Sequence, residues 1–317
     1  MGREGPESGR REDRDLKQKL IVIEGTNASG KSALGVELAR IYHGEIVSAD
    51  SRQVYAGMNL GSGKITPEEM KGVRHHLLDV RQPGEFFSMA DFQTLAYEAI
   101  EGILARGKQP FLVGGTGLYV DSVADGYVLS DKKPDPELRA RLETFSTPEL
   151  YQMLKDREPE TEIDPKNRHR VMRRIEKIEA GDGENAPKQP RYETLRFGVT
   201  WPREILKQRI DERLERRLQE GMTDEVRALL DQGVSEEFLV KLGLEYKYLT
   251  WYLTGKMGYE QMKEELGTAI KRFAKRQMIW FRRNPEIIWL DMAGDPAAEA
   301  AKHLDAFLSG GAAGPET

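Results

Sequence analysis

Leu20-Ile21-Val22-Ile23-Glu24-Gly25-Thr26-Asn27-Ala28-Ser29-Gly30-Lys31-Ser32 is the stretch that decides the fold. Its first five residues are short, β-branched and bounded by glycine, the pattern of a buried strand. Gly25 to Ser32 then fit G-x-x-x-x-G-K-[ST], and Lys31 to Tyr42 repeat with helical period, Leu34, Leu38 and Ile41 on one face. Strand, glycine-rich loop and helix in that order make a cradle for phosphate. Gly25 and Gly30 let the backbone wrap closely, so that consecutive N–H groups across Asn27, Ala28 and Ser29 aim at phosphate oxygens. The helix adds its positive N-terminal end. Lys31 adds a point charge, and the Ser32 hydroxyl is of the kind that ligates Mg²⁺.

Outward from this unit the pattern repeats. Glu45-Ile46-Val47-Ser48 predicts a second strand ending at Asp50, His76 to Val80 a third, and Pro110-Phe111-Leu112-Val113 a fourth, followed by Gly114-Gly115-Thr116-Gly117. Ser88 with Asp91 forms a capping-box pattern that opens a helix through Leu95, Ala99, Ile100 and Ile103, closing near Gly107. Strands alternating with helices predict an α/β fold, a P-loop-type parallel sheet flanked by helices. From Pro134 the pattern turns helical. Residues 134–190 read as an inserted, mainly helical domain, and 20–133 with 191–291 as the core. The core holds a strand at Leu195–Thr200, charged helices at Arg203–Gln219 and Tyr259–Arg283, and a last strand at Ile287–Leu290. Residues 1–19 read as a disordered charged tail, and 292–317 as a frayed C-terminal tail.

The 317 residues are 38% apolar and 32% charged, which supports a folded core under a charged surface. No apolar run approaches the roughly 18 residues that span a bilayer, and Met1 to Lys19 lack the apolar centre of a signal peptide. A cytoplasmic protein without a membrane partner is expected. The absence of cysteine excludes disulfides, thiolate zinc sites and thiol catalysis together. Net charge is −5, yet basic residues cluster locally at Arg168-His169-Arg170 with Arg173-Arg174, and at Lys271-Arg272, Lys275-Arg276 and Arg282-Arg283. Taken singly, such clusters are solvated helix faces.

A phosphate loop does not name a reaction. Nucleotide hydrolases and kinases add an apolar strand ending in a metal-holding Asp. Here the strand through Val113 ends in glycine, while Asp50 and Asp79 follow other strands, so a P-loop kinase stays open at this stage. In a parallel sheet the carboxyl ends of the strands share one edge, where ligands bind. Lys31, Asp50 and Thr116 are therefore predicted to meet in one cleft.

Several motifs in one order narrow the choice. The loop Ala28-Ser29-Gly30-Lys31-Ser32, the run Glu45 to Tyr55 with Asp50-Ser51-Arg52-Gln53, His75-His76-Leu77-Leu78-Asp79-Val80, and Val113-Gly114-Gly115-Thr116-Gly117-Leu118-Tyr119 resemble the tRNA dimethylallyltransferases, also called tRNA isopentenyltransferases. So do Arg203–Met222, Glu225-Val226, Gly243 to Tyr252, and Ala274 to Gln277 with Trp280-Phe281-Arg282. The resemblance covers about residues 20 to 291.

It implies transfer of a dimethylallyl group from dimethylallyl diphosphate to the exocyclic amine of the adenosine 3′-adjacent to the tRNA anticodon, with Mg²⁺ as cofactor. It implies that Asp50 is the base and that Thr116 donates near the bridging oxygen of the leaving group. Gly25, Asn27, Ala28, Ser29, Gly30, Lys31 and Ser32 would hold the diphosphate. Arg209 and Arg213, four apart on one helix face, are placed to add cationic contacts, and Arg213 is preferred. Ser51, Arg52 and Gln53 would face the tRNA. Arg139 and the helix residues His169, Arg170, Val171, Met172 and Arg173 would contact its anticodon loop through the inserted domain. A monomer is implied. Transfer to free adenine nucleotides is the neighbouring alternative, against which the helical insertion and the 275–280 region speak.

The chain departs from the family pattern in places. Thr26-Asn27 stand where Pro-Thr is usual, and Gly61-Ser62-Gly63-Lys64-Ile65 where Gly-Thr-Ala-Lys-Pro is usual. Arg173-Arg174-Ile175-Glu176 replace Arg-Ala-Leu-Glu, and Ala180 to Gly183 replace a Ser-Gly-Lys turn.

Overall fold

The computed structural model describes residues 17–129, 135–181 and 187–310. The first half runs β1 (Lys19–Gly25), α1 (Lys31–Ile41), β2 (Gly44–Ala49), α2 (Pro67–Met70), β3 (His75–His76), α3 (Met89–Ala105), β4 (Gln109–Gly114) and α4 (Gly117–Ala124). The insertion holds α5 (Pro136–Glu143), α6 (Thr147–Arg157) and α7 (Arg168–Glu179). The chain then returns through β5 (Glu193–Thr200) and the helices α8 (Arg203–Gln219), α9 (Met222–Asp231), α10 (Glu236–Leu242), α11 (Leu244–Leu253) and α12 (Tyr259–Phe281), and ends with β6 (Ile288–Asp291) and α13 (Pro296–Leu308).

The six strands lie in the order β3-β2-β4-β1-β5-β6, every pair parallel. Strand alternation splits β1 between two cores. Ile21 and Ile23 pack under α1 and α13 with Phe111, Val113 and Phe197. Leu20 and Val22 face α3 and α4 with Val47, Leu112, Phe92 and Val120. A third core joins α8 to α12 around Tyr246, Leu249, Met262 and Leu266. The insertion has its own small core of Leu142, Leu150, Leu154, Val171, Met172 and Ile175. The capping box at Ser88 forms: its Oγ accepts from Asp91 N at 3.1 Å while Asp91 accepts from Ser88 N at 2.8 Å.

Three expectations need correction. The predicted strand from His76 to Val80 pairs only at His75–His76, because Leu77 and Asp79 take left-handed backbone (φ 64° and 56°) and leave the sheet. The expected tail from 292 holds α13, which buries Ala300, Leu304 and Phe307 in the core under α1, and its residues 311–317 lie outside the described residues. Lys19, assigned to the N-terminal tail, already belongs to β1, and the rest of that tail, up to residue 16, lies outside the described residues. The break from Gly181 to Pro190 lies partly outside them too.

Candidate active site

Three strand ends build the cleft. β1 delivers Gly25, β2 delivers Asp50 and β4 delivers Gly114 to Thr116 at one edge. They crowd closely. A Cβ on Gly25 would stand 2.6 Å from Val199 Cγ2, and one on Gly114 2.1 Å from the Ala49 carbonyl oxygen, so both positions need glycine. Two residues on, Thr116 N donates to that carbonyl at 3.2 Å and stitches the two strand ends together.

The loop before α1 is held from inside by the Thr26 carbonyl, which accepts from Ser29 Oγ at 2.8 Å and Lys31 Nζ at 3.3 Å, and from outside by two further carbonyls. Trp201 Nε1 donates to Ser29 O at 2.9 Å, and Arg209 Nε donates to Ala28 O at 3.0 Å with its guanidinium over the Trp201 ring. Gly30 takes φ 93° and no side chain caps α1, so the first amides of the helix remain for an anion. Asn27 is an exception: its N–H donates to Gln277 Oε1 at 3.0 Å, which leaves only its side chain for the cleft. Arg209 is likewise spent on the loop.

A cleft of about 560 Å³ opens above, lined by Lys31, Ser32, Asp50, Gln53, Arg213 and Arg217 among others. Burial pushes Lys31 down to about 8 despite the nearby Asp50 carboxylate. Burial, and next the neighbouring Arg217, push Arg213 down to about 9. These cations are held at a cost that a bound anion would relieve.

The expected site residues divide. Asp50 lines the cleft beside Lys31, its Oδ1 accepting from Arg52 N at 2.9 Å. Thr116 Oγ1 accepts from Ser51 N at 3.1 Å and lies 3.4 Å from Ser51 Oγ, which ties the hydroxyl to the Asp50 turn. Arg52, expected to face tRNA, is buried and donates to Glu245 at 2.6 Å. Burial opposes its charge, but Glu245 and Asp50 outweigh it and raise its pKa. Gln53 is engaged at both ends, accepting from Ser48 Oγ at 3.0 Å and donating to Gly63 O at 3.1 Å. Asp79, considered above as a metal holder, pairs with Lys64.

In the insertion, Val171 and Met172 lie in its small core, so their side chains cannot be the tRNA contacts expected of them. Arg139 forks onto Glu176 at 2.6 and 2.9 Å, and Arg173 joins the same carboxylate at 3.0 Å. His169 and Arg170 are exposed.

Three residues of the motifs quoted above receive no site role from the sequence. Gln277 bridges Asn27 N and, through Nε2 at 2.8 Å, Gly115 O, and so locks the phosphate loop to the β4 loop. Glu245 holds Arg52. Glu225 accepts from the amides of Asn59, Leu60 and Gly61 at 2.7–3.0 Å and fixes that turn. A signal existed for Gln277: it stands on the buried stripe of α12 with Ile270, Ala274 and Phe281, where a polar residue needs partners.

A phosphate-cradling loop at the first strand, with a carboxylate and a hydroxyl on the next strand ends, makes this a P-loop-type α/β enzyme fold. The comparisons carry the class to a family. The family model "IPP transferase" matches residues 53–284. The chain is 44% identical over 293 residues to tRNA dimethylallyltransferase 2 of Shewanella sediminis, covering 90% of this chain and 97% of that one. Its fold matches the tRNA isopentenylpyrophosphate transferase of Bacillus halodurans with TM-score 0.70 and 38% identity, covering 93% and 96% of the two chains. It matches a eukaryotic dimethylallyltransferase acting on tRNA with TM-score 0.81 and 27% identity, covering 94% and 81%. The chain belongs to the IPP transferase family.

Proposed function

We infer that the chain transfers a dimethylallyl group from its diphosphate to tRNA, the acceptor being the exocyclic amine of the adenosine 3′ of the anticodon. The observation that carries this is the joint lining of one cleft by Asp50, Lys31 and the head of α1, in a chain of this family. The allylic C–O bond breaks and its electron pair leaves with the diphosphate. The amine nitrogen forms the new C–N bond, and its proton passes to the Asp50 carboxylate. An aromatic amine is a poor nucleophile, so a positioned base assists as the bond forms. The α1 amides, Lys31 and Arg213 receive the charge growing on the leaving group. The Thr116 hydroxyl, beside the Asp50 turn, is proposed to donate near the bridging oxygen. Water must stay out of the cleft, because it would compete for the allyl group.

Among the described residues no group of three or more acidic or imidazole side chains is placed to hold a metal by itself. Mg²⁺ on a diphosphate keeps phosphate oxygens and water as ligands, so one hydroxyl suffices, and Ser32 at the head of α1 fits that need. When bound there, Mg²⁺ would offset charge on the leaving diphosphate. No helix among the described residues is long and apolar enough to cross a membrane. The chain is proposed to act as a cytoplasmic monomer, which light scattering checks against its 36.0 kDa mass.

A transfer assay tests the reading. Purified chain, Mg²⁺ and labelled dimethylallyl diphosphate are mixed with unmodified tRNA or with AMP. Label on tRNA alone, mapped to the adenosine beside the anticodon, is expected. Label on AMP alone would move the chain to the free-nucleotide class.

A further inference from the structure

The floor of the cleft holds more positive charge than its own carboxylates answer. Lys31, Arg52, Arg213 and Arg217 face Asp50 and Glu245 there. The other charged residues of the lining are equal in number, Lys71, Arg209 and Arg216 against Glu69, Glu212 and Glu220, with Arg216 and Glu220 3.6 Å apart, so the imbalance of two lies with the first group. Glu245 spends one oxygen on Arg52 at 2.6 Å. Its other oxygen lies 3.9 Å from Arg217 Nη1, beyond hydrogen-bond distance. Among the described residues, the hydrogen bond of Arg213 Nη2 is a long one to the Gly63 carbonyl, at 3.5 Å. The Arg217 side chain is 11% exposed, and burial depresses its pKa as it does that of Arg213. Buried cations with so little pairing call for an anion of more than one charge.

Gly63 is what makes room for them. Its φ is +67°, and a Cβ built there would stand 1.8 Å from Arg217 Nη2 and 2.3 Å from Arg213 Nη2. Any side chain at 63 would drive both guanidiniums from their present places. The glycine and the packed arginine pair therefore belong to one arrangement.

We propose that Arg217 is a specificity-determining residue of the donor site: with Arg213 it grips the second phosphate of the allylic diphosphate, while the α1 head takes the first, and Gly63 admits it. The proposal rests on the prenyltransferase reading above. Two guanidiniums offered to the second phosphate select a diphosphate over a monophosphate.

The test uses the full chain with Mg²⁺ and two probes, inorganic pyrophosphate and inorganic phosphate. Binding of each is measured by calorimetry, with donor KM, tRNA KM and kcat from the transfer assay. Arg217→Met is expected to weaken pyrophosphate binding and raise donor KM by about 10- to 100-fold. Phosphate binding, kcat and tRNA KM should stay within about threefold. Arg217→Lys should recover part of the loss. Gly63→Ala should weaken pyrophosphate in the same direction, and adding it to Arg217→Met should cost less than it does alone. Melting curves check folding; if the Met variant does not fold, Arg217→Lys and Gly63→Ala carry the test. Wild-type pyrophosphate affinity in the Arg217 variants overturns the proposal and leaves the transferase reading standing, as does a loss of kcat alone. A wild-type chain that neither binds pyrophosphate nor prenylates tRNA sinks both.

Discussion

Asp50 and Lys31 line one cleft, and each makes a separate demand on the chemistry. If Asp50 takes the proton of the attacking amine, Asp50→Ala should lower kcat by about 10²–10⁴-fold while tRNA affinity stays near wild type. Single-turnover rates and filter binding measure the two; normal turnover would remove Asp50 from the role. Lys31 makes a prediction in pH. Its pKa falls to about 8 from an ordinary 10.5. Between those values the folded chain holds fewer protons than the unfolded one, so this group's contribution to stability rises with pH there, and the charge is a burden below about 8. A bound diphosphate favours the protonated amine. Donor affinity should therefore weaken as pH rises through about 8, with proton uptake on binding. Lys31→Arg, charged throughout, should lack that inflection. An identical pH profile in both proteins would show that Lys31 does not meet the anion.

At the scale of elements, α7 shows how one helix serves two ends. Its period places Val171, Met172 and Ile175 in the core of the insertion, while His169 and Arg170 face out at its start. Asn167 caps it, accepting from Arg170 N at 3.2 Å, which fixes where that exposed turn begins. Arg139 and Arg173 share Glu176, so their charges are partly answered inside the protein. Of the arginines expected to meet tRNA here, Arg170 is the exposed one, next to the exposed His169. Arg170→Ala should weaken tRNA binding and flatten the dependence of log K on log salt by about one unit. An unchanged slope, read from binding between low and moderate salt, would mean that this end of α7 does not touch the backbone. The same period is present in the sequence as Val171, Ile175 and Ile178, which puts Val171, with Met172 beside it, on the apolar face and not among the tRNA contacts.

For the whole molecule, the cleft depends on how the sheet is tied to its helices. Arg196 on β5 is buried and held by three carboxylates: Glu24 on β1 at 2.9 and 3.0 Å, Asp121 at 2.7 Å and Asp125 at 2.9 Å. Asp121 also accepts from Trp280 Nε1 at 2.8 Å, which joins α12 to α4. Burial works against the Arg196 charge, but Glu24 and Asp121 outweigh it and keep it ionised. Arg196→Met would leave Glu24 and Asp121 buried without their partner. A loss of about 3–5 kcal/mol in urea unfolding is expected. A loss under about 1 kcal/mol would show that the carboxylates neutralise at little cost. The network sits one residue before the phosphate loop, so the same variant should also loosen donor binding in whatever fraction stays folded.

The sequence by itself determined the phosphate loop, the parallel sheet and the strand-end positions of Asp50 and Thr116. These are local: a strand of β-branched residues, a glycine turn and a helix period each lie within about a dozen neighbouring residues, and parallel strands put their carboxyl ends on one edge. The family motifs extended this to the reaction. Tertiary structure alone decided the rest. Gln277 meets Asn27 across 250 residues and Arg52 meets Glu245 across 193, pairings that no local pattern encodes. It set Gly63 against Arg213 and Arg217, and it turned the supposed C-terminal tail into α13, whose Phe307 and Leu304 are apolar groups with a place in the core. Burial created the surplus of charge in the cleft. A sequence counts charges, and only packing removes the water that would otherwise screen them.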